Sequence, residues 1–298
     1  MIKYEWRTTL SADESAELSD LLGRAADYDA EPEYNRIDFA DVDRAMSQPN
    51  SSQRHLLIWM LPHATAMGEP DQPERIAGLL QLSCQPDGSA YASAVIDPSL
   101  RSIGIMTLLV ERVGLDTSAP GGWLDTGAHT VTAWAQGNHP AAGRLSNRFL
   151  IPRTRRVWKL IRSTDTLEDA TAAPVLEPAD DTSLAELSWV SASPGGGHTY
   201  ALREAGRIFG VVALDLRAVA SDEFGRCGTI VSASAPPAAE VAQRRRLLDG
   251  AAAVAHEAGL TGVIVYVDAD DTAMVNACRM AGFQHDRTDV RYEIGGHR

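Results

Sequence analysis

A chain of 298 residues has room for two domains of ordinary size, and 44% hydrophobic with 22% charged residues marks it as globular. The formal charge of −13 argues against nucleic acid or an anionic membrane as the main partner, although it leaves room for a local basic pocket. Three scattered cysteines (Cys84, Cys227, Cys278), no signal-type apolar stretch in the opening MIKYEWRTTLSADES and no run of membrane-spanning length lead us to expect a reducing, cytoplasmic setting.

In chain order, Ser11 with Glu14 three positions on is a capping pattern, and Leu18, Leu21 and Leu22 share one face, so a first helix is expected within residues 7–26. An acidic irregular stretch (28–34) and a second helix (39–46) follow. Strands are expected at 56–60, 76–82 and 92–96, a helix from Gly104, a strand at 130–135, a helix at 140–149 and a closing strand at 157–161. Residues 163–182 turn to Thr, Asp, Ala, Glu and Pro without apolar periodicity, which reads as a linker. Beyond it the pattern begins again: a helix at 184–190, strands at 199–202, 208–214 and 229–233, an alanine-rich helix at 239–258, a strand at 262–267, a helix at 272–281 and a last strand at 290–294.

The stretch AVIDPSLRSIGIMTLL, from Ala94 to Leu109, says most about chemistry. The strand breaks at Asp97-Pro98, a tight loop covers Ser99 to Ile103, and the helix opening at Gly104 keeps Ile105, Leu108, Leu109 and Val113 on one face. Backbone N–H groups in the loop and first turn have no intrahelical partner, and Gly104 has no Cβ to block a close approach. Such donors at a positive helix end suit a pyrophosphate; an ordinary strand-turn-helix is the alternative.

The spacing Pro-x-x-Arg-x-x-Gly-Ile resembles the acetyl-CoA loop of the GCN5-related N-acetyltransferases, Arg/Gln-x-x-Gly-x-Gly/Ala. Arg101 and Gly104 fit it, whereas Met106 stands where a small residue is usual. The resemblance implies acetyl-CoA held on Arg101, Ser102, Ile103, Gly104, Ile105 and Met106. The strand edge at Ser93, Ala94 and Val95 would then lie alongside, and an N–H near Ala94 or Val95 would stabilise the tetrahedral oxyanion.

The two halves can be laid on each other. Arg75 to Leu82 matches Arg207 to Leu214, the strand ending at Pro98 answers that ending at Pro236, and Trp134–Ala142 answers Tyr266–Met274, with Val157-Trp158 against Arg291-Tyr292. The order of elements is that of the acetyltransferase fold. The expected fold class is therefore α/β: two tandem acetyltransferase-like domains, each a mixed, mostly antiparallel sheet flanked by helices. Their expected bounds are 1–162 and 183–298, joined by the linker 163–182.

Trp6-Arg7, Leu10-x-Ala12-Asp13-Glu14, Asp29, His55-Leu56-Leu57, the 98–106 loop and Trp134-Ala135-x-Gly137 resemble the mycothiol synthase family of tandem acetyltransferases. That resemblance implies transfer of acetyl from acetyl-CoA to the cysteinyl amine of a glucosaminyl-inositol conjugate by a monomer acting on a small molecule. In the second half the phosphate loop would be Ala239–Arg244, without glycine and with Glu240. The family's carboxylate base falls near Gly228, its tyrosine near Cys278 and an acidic substrate contact near Gly195; another such contact, in the first half, falls near Asn35 or Arg36. Tyr266 and Asp270 do match.

Asn35 and Tyr266 are thus candidate acceptor contacts, and Asp97, Asp222 and Glu223 candidate bases. An acceptor amine that is already partly neutral is the alternative to a base. No metal-ligand spacing, such as HExxH, is present. Two other functions keep the fold: acetylation of another small amine, and acetyl-CoA binding without catalysis.

Overall fold

The computed structural model describes residues 1–48, 51–61, 74–165, 174–180, 184–190, 197–204 and 206–296. The chain divides into two compact units, Met1–Arg155 with Asp289–Arg298, and Arg156–Thr288.

The first unit opens with strand β1 (Ile2–Arg7) and helix α1 (Ala12–Tyr28). The capping box forms as its sequence pattern dictates: Glu14 N–H donates to Ser11 Oγ (3.2 Å), and Ser11 N–H donates to Glu14 Oε2 (2.9 Å). Leu18, Leu21, Leu22 and Ala25 then face the core. Asp38 caps α2 (Phe39–Ser47) by accepting from Ala40 N–H. Strands β2 (Gln53–Met60), β3 (Arg75–Cys84) and β4 (Ser89–Ile96) form an antiparallel series with β1. Helix α3 (Ile105–Val113), β5 (Thr130–Ala135) and α4 (Pro140–Phe149) follow.

Period-two alternation divides the sheet's side chains between two cores. Leu57, Trp59, Leu79 and Val95 pack with α1 and α2. Leu56, Leu80, Leu82 and Val131 pack with Ile105 and Leu109 of α3.

The second unit contains β6 (Arg153–Ser163, from Arg156 on), β7 (Leu176–Pro178), β8 (His198–Glu204), β9 (Arg207–Ser221) and β10 (Gly225–Ser234). After these come α5 (Val241–Glu257), β11 (Gly262–Asp268) and α6 (Thr272–Met280). Its strand order is β6-β11-β10-β9-β8-β7, antiparallel except for β10 beside β11. The first unit has one parallel pair too, β4 beside β5. The repeat is therefore architectural, and each sheet is mixed and mostly antiparallel.

The halves nevertheless exchange their closing strands. Residues 157–161, expected to close the first half, pair with β11 in the second unit. Strand β12 (Gln284–Gly295) carries the expected closing strand of the second half, and its Val290–Gly295 pair with β5 in the first unit. The compact units therefore differ from the expected 1–162, 163–182 and 183–298 division. Apolar alternation specifies a strand but does not say which edge it will join.

Three smaller differences follow from weak local signals. The strand β1 was not expected. The segment expected as a linker contains β7, a three-residue edge strand ending in a proline, as edge strands tolerate; residues 166–173 and 181–182 of it lie outside the described residues. Residues 185–190, expected as a helix, form turns closed by Leu187 N–H to Leu184 O and Val190 N–H to Leu187 O.

Candidate active site

Strands β4 and β5 are hydrogen-bonded only through Ser89–Ala92 and Thr130–Ala133. Beyond that point Ser93–Ile96 stay with β3, and Trp134–Ala135 stay with β12, so the two parallel strands part and leave a wedge. Asp97 N–H donates to Ala77 O (3.0 Å), and the β3–β4 register runs unbroken back to Ala90. Alternation therefore turns the N–H groups of Val95 and Ser93 to β3, and those of Ala94 and Ile96 to the wedge. Of the two amides expected near the thioester, Ala94 is the one whose N–H faces the opening.

The wedge leads to the front of α3. Ser102 (φ 68°) and Gly104 (φ 89°) are both left-handed, and Gly104 is the N-cap residue, without a capping side chain. The first ladder bond runs from Leu108 N–H to Gly104 O, which leaves the N–H groups of Ile105, Met106 and Thr107 without intrahelical acceptors. A Cβ on Gly104 would meet nothing within 4 Å, so the space before these donors is open.

The side chain of Arg101 points away from that space. Its guanidinium forks onto Asp29, Nη1 to Oδ1 at 2.6 Å and Nη2 to Oδ2 at 2.7 Å, and its Nε donates to Ile96 O. Asp29 is 6% exposed and ends α1. Hydrogen bonding to Asp29 raises the Arg101 pKa further. Arg101 thus ties the loop to α1, and what it can offer a phosphate is backbone.

A cleft of about 610 Å³ runs between α3 and α4. Its walls include Ala92, Ser93, Ala94, Val95, Ile105, Met106, Val110, Ala133, Ala135 and Leu145, a largely apolar set, with Arg101, Ser102 and Gly104 at the loop. Ile103, from the expected loop set, is 55% exposed and outside the lining. A second, polar pocket of about 780 Å³ is lined by Arg36, Asp38, Asp41, Arg44, Gln53, Gln81, Ser83, Tyr91 and Ser93, among others. Ser93 lines both spaces.

Asn35 lines the cleft, and its Oδ1 accepts from Gln136 N–H (2.7 Å), which places it in the wall. Asp97 is 4% exposed. Its Oδ1 accepts from Ser99 N–H (2.8 Å) and Ser99 Oγ (2.6 Å), and its Oδ2 accepts from Arg24 Nη2 (2.6 Å). Burial pushes its carboxyl up, but Ser99 and Arg24 outweigh this and hold it below the ordinary range. A carboxylate so committed is a cap and a poor proton acceptor. Asp222 and Glu223 are exposed on the β9–β10 turn, and Tyr266 is half exposed on β11; all three belong to the second unit, outside the residues lining the cleft.

Two further groups, His139 and Tyr292, stand in the cleft wall. His139 caps α4, its Nδ1 accepting from Ala141 N–H, and it packs on Tyr34 with ring centroids 4.3 Å apart. Burial, then the Arg101 charge, lower its pKa, so it is neutral at pH 7. Tyr292 comes from β12, more than 150 residues after β5. No local signal could have placed it here, because its address depends on strand exchange.

No family model matches the chain. The mycothiol acetyltransferase of Nocardia farcinica is 29% identical over 243 residues, covering 70% of this chain and 76% of its own length. That of Saccharomonospora viridis is 25% identical over 333 aligned positions, covering 99% of this chain and all of its own. Among solved structures, a GCN5-related N-acetyltransferase from Sphaerobacter thermophilus has a TM-score of 0.58 at 16% identity, over 98% of this chain and 95% of that one. A tandem protein of the same fold from the clavulanic acid biosynthesis pathway gives 0.56 at 12%, over 100% and 99%. The chain has the fold of the tandem GCN5-related N-acetyltransferases.

The second unit repeats the wedge without the grip. Strands β10 and β11 pair only through Cys227–Ile230 and Gly262–Val265 before parting. At the front of α5, however, Glu240 is the N-cap residue, and its N–H donates to Gln243 Oε1 (2.9 Å). A carboxylate there would repel phosphate. Gly228 and Cys278, where the resemblance would want a carboxylate and a tyrosine, are both buried, and burial pushes the Cys278 thiol up to about 12. The acidic contact expected near Gly195 lies outside the described residues. Among the described residues no helix is long and apolar enough to cross a membrane, and no acidic, histidine or cysteine group could hold a metal ion.

Proposed function

We propose that the first unit binds acetyl-CoA along its cleft and transfers the acetyl group to a small-molecule amine, acting as a cytoplasmic monomer. The observation that carries this reading is a parallel strand pair that parts beside an apolar cleft and ends at an uncapped helix front, itself entered through a left-handed glycine. The diphosphate would accept from the loop and first-turn amides of α3. The acyl carbonyl would accept from Ala94 N–H. Apolar walls exclude water from the thioester.

We further propose that the acceptor is the cysteinyl amine of a glucosaminyl-inositol conjugate, the last substrate in mycothiol synthesis. The names of the sequence relatives support this, as does a polar pocket that meets the cleft at Ser93 and suits a polyhydroxylated molecule. An α-amine of this kind has a pKa of about 8. A useful fraction is neutral at pH 7, so positioning can drive the reaction without Asp97.

Acetyl-CoA titration by calorimetry, followed by turnover with the cysteinyl conjugate, tests the reading. Gly104→Glu should abolish binding; unchanged binding would move the cofactor out of the first unit. A binding protein without turnover is the second reading, favoured by the commitment of both Asp97 oxygens and by Gly228 and Cys278 in the second unit. Binding without turnover of any amine would establish it.

A further inference from the structure

Tyr91 is 55% exposed although it lies within β4. The register sets Gln53, Ser83 and Tyr91 in one row across β2, β3 and β4, and Gln81 and Ser93 in the next. The row after that, Leu57, Leu79 and Val95, packs under α1 and α2. Alternation keeps all three rows on one face, so the sheet turns from apolar to polar as it leaves the helices. Gln81 Nε2 donates to Gln53 Oε1 at 2.7 Å, which fixes both amides. Gln81 Oε1 is left as an acceptor and the Gln53 Nε2 hydrogens as donors, on residues that line the pocket of about 780 Å³ with Tyr91. Two arginines (Arg36, Arg44) and two aspartates (Asp38, Asp41) line it too, and Arg44 is spent on Asp41 at 2.8 Å. These charges cancel, so the pocket favours neither a phosphate nor a cation. It suits a neutral ring with hydroxyls at its rim for the amides and C–H groups on one face for the phenol. A pyranose has both.

We propose that this patch is a pyranose subsite, in which the N-acylated glucosaminyl ring of the acceptor stacks on Tyr91 and the Gln53–Gln81 pair holds its hydroxyls. That the ring belongs to an acceptor rests on the amine-acetylation reading; that the patch takes a sugar does not. The pocket and the cleft lie on opposite faces of the sheet, since Ala92 and Ile96 of β4 pack with Ile105 and Leu109 of α3 while Val95 packs with α1. They meet at Ser93, two residues or about 7 Å along β4 from Tyr91. A ring on Tyr91 therefore stays clear of the acyl-CoA, and its amine-bearing arm passes Ser93 into the wedge. Tyr91, Gln53 and Gln81 are specificity residues. They select which amine reaches the thioester and touch no reacting atom.

The test uses methyl N-acetylglucosaminide as the probe, titrated by saturation-transfer NMR into the full chain and into Tyr91→Ala, Tyr91→Phe and Gln53→Ala. The parent should pass saturation to the C–H protons of the ring. Tyr91→Ala should weaken the glycoside about tenfold and Gln53→Ala about threefold to tenfold, whereas Tyr91→Phe keeps the stacking face and should bind like the parent. Where turnover is measured, the preference in kcat/KM for the cysteinyl conjugate over cysteine amide, which has no sugar, should fall about tenfold in Tyr91→Ala. Equal binding of the glycoside by the parent and Tyr91→Ala, or its displacement by inorganic phosphate, overturns the subsite. If acetyl-CoA fails to bind while the glycoside still binds through Tyr91, the transfer reading falls and the subsite stands. If acetyl-CoA binds and the glycoside does not, only the subsite falls.

Discussion

Arg101 and Asp29 meet through two parallel hydrogen bonds of 2.6 and 2.7 Å, the guanidinium fork matching the carboxylate oxygens. The pair joins the loop before α3 to the end of α1, 72 residues apart in sequence. Both side chains are largely buried, so removing one partner leaves the other charge desolvated.

Asp29→Asn should therefore destabilise the protein by about 3 kcal/mol, the usual scale for breaking a buried pair. Arg101→Lys keeps the charge and loses the fork, and should weaken acetyl-CoA binding by about tenfold through a loosened loop. Denaturation and calorimetric titration of both variants check this. Full affinity in Arg101→Lys would show that the loop holds its shape without the fork.

Asp97 gives a pH dependence of known sign. Its folded pKa lies below the unfolded value of about 3.9. Its contribution is therefore complete above about pH 4 and is lost as pH falls through the folded pKa. Asp97→Asn should cost ~1–3 kcal/mol at pH 7 and less at pH 3, where the parent has begun to lose the same interactions. Urea midpoints at the two pH values measure the difference.

Cys278 is fully buried against α5 and β11, and its thiol is pushed up to about 12 by burial. It should resist iodoacetamide at pH 8 in the folded protein and react at once in urea. Rapid labelling of the folded chain, located by mass spectrometry, would contradict an inert core thiol.

Two glycines should respond oppositely to alanine. Gly295 is left-handed (φ 75°), and a Cβ there would collide with the His129 carbonyl oxygen and lie 2.5 Å from Thr117 Oγ1. Gly295→Ala should cost ~2 kcal/mol or more, since strain and a backbone clash add. Gly23 lies inside α1 with nothing within 4 Å of its Cβ position. Gly23→Ala should stabilise by ~0.5–1 kcal/mol. Thermal melts of the two variants suffice.

What could be read from the sequence was whatever short-range chemistry decides. Ser11 and Glu14 announce α1, Pro140 and Phe149 bound α4, and Gly104 opens α3, because capping, proline geometry and left-handed backbone act over a few residues. The doubled architecture was legible because β3 and β9 share a local pattern around Gly78 and Gly210. What escaped depends on distant partners. Arg101 looked like a phosphate ligand until Asp29 claimed it, and Asp97 looked like a base until Arg24 and Ser99 took both oxygens. Tyr292 looked like a closing strand residue of the wrong half.

The exchanged closing strands also bear on synthesis at the ribosome. Residues 1–155 emerge first, yet among the described residues of that stretch β5 has no outer neighbour, and it waits with one open edge until Val290–Gly295 leave the exit tunnel. The earlier half should mature late, and nascent chains stalled before residue 289 should expose a sticky strand that chaperones can recognise.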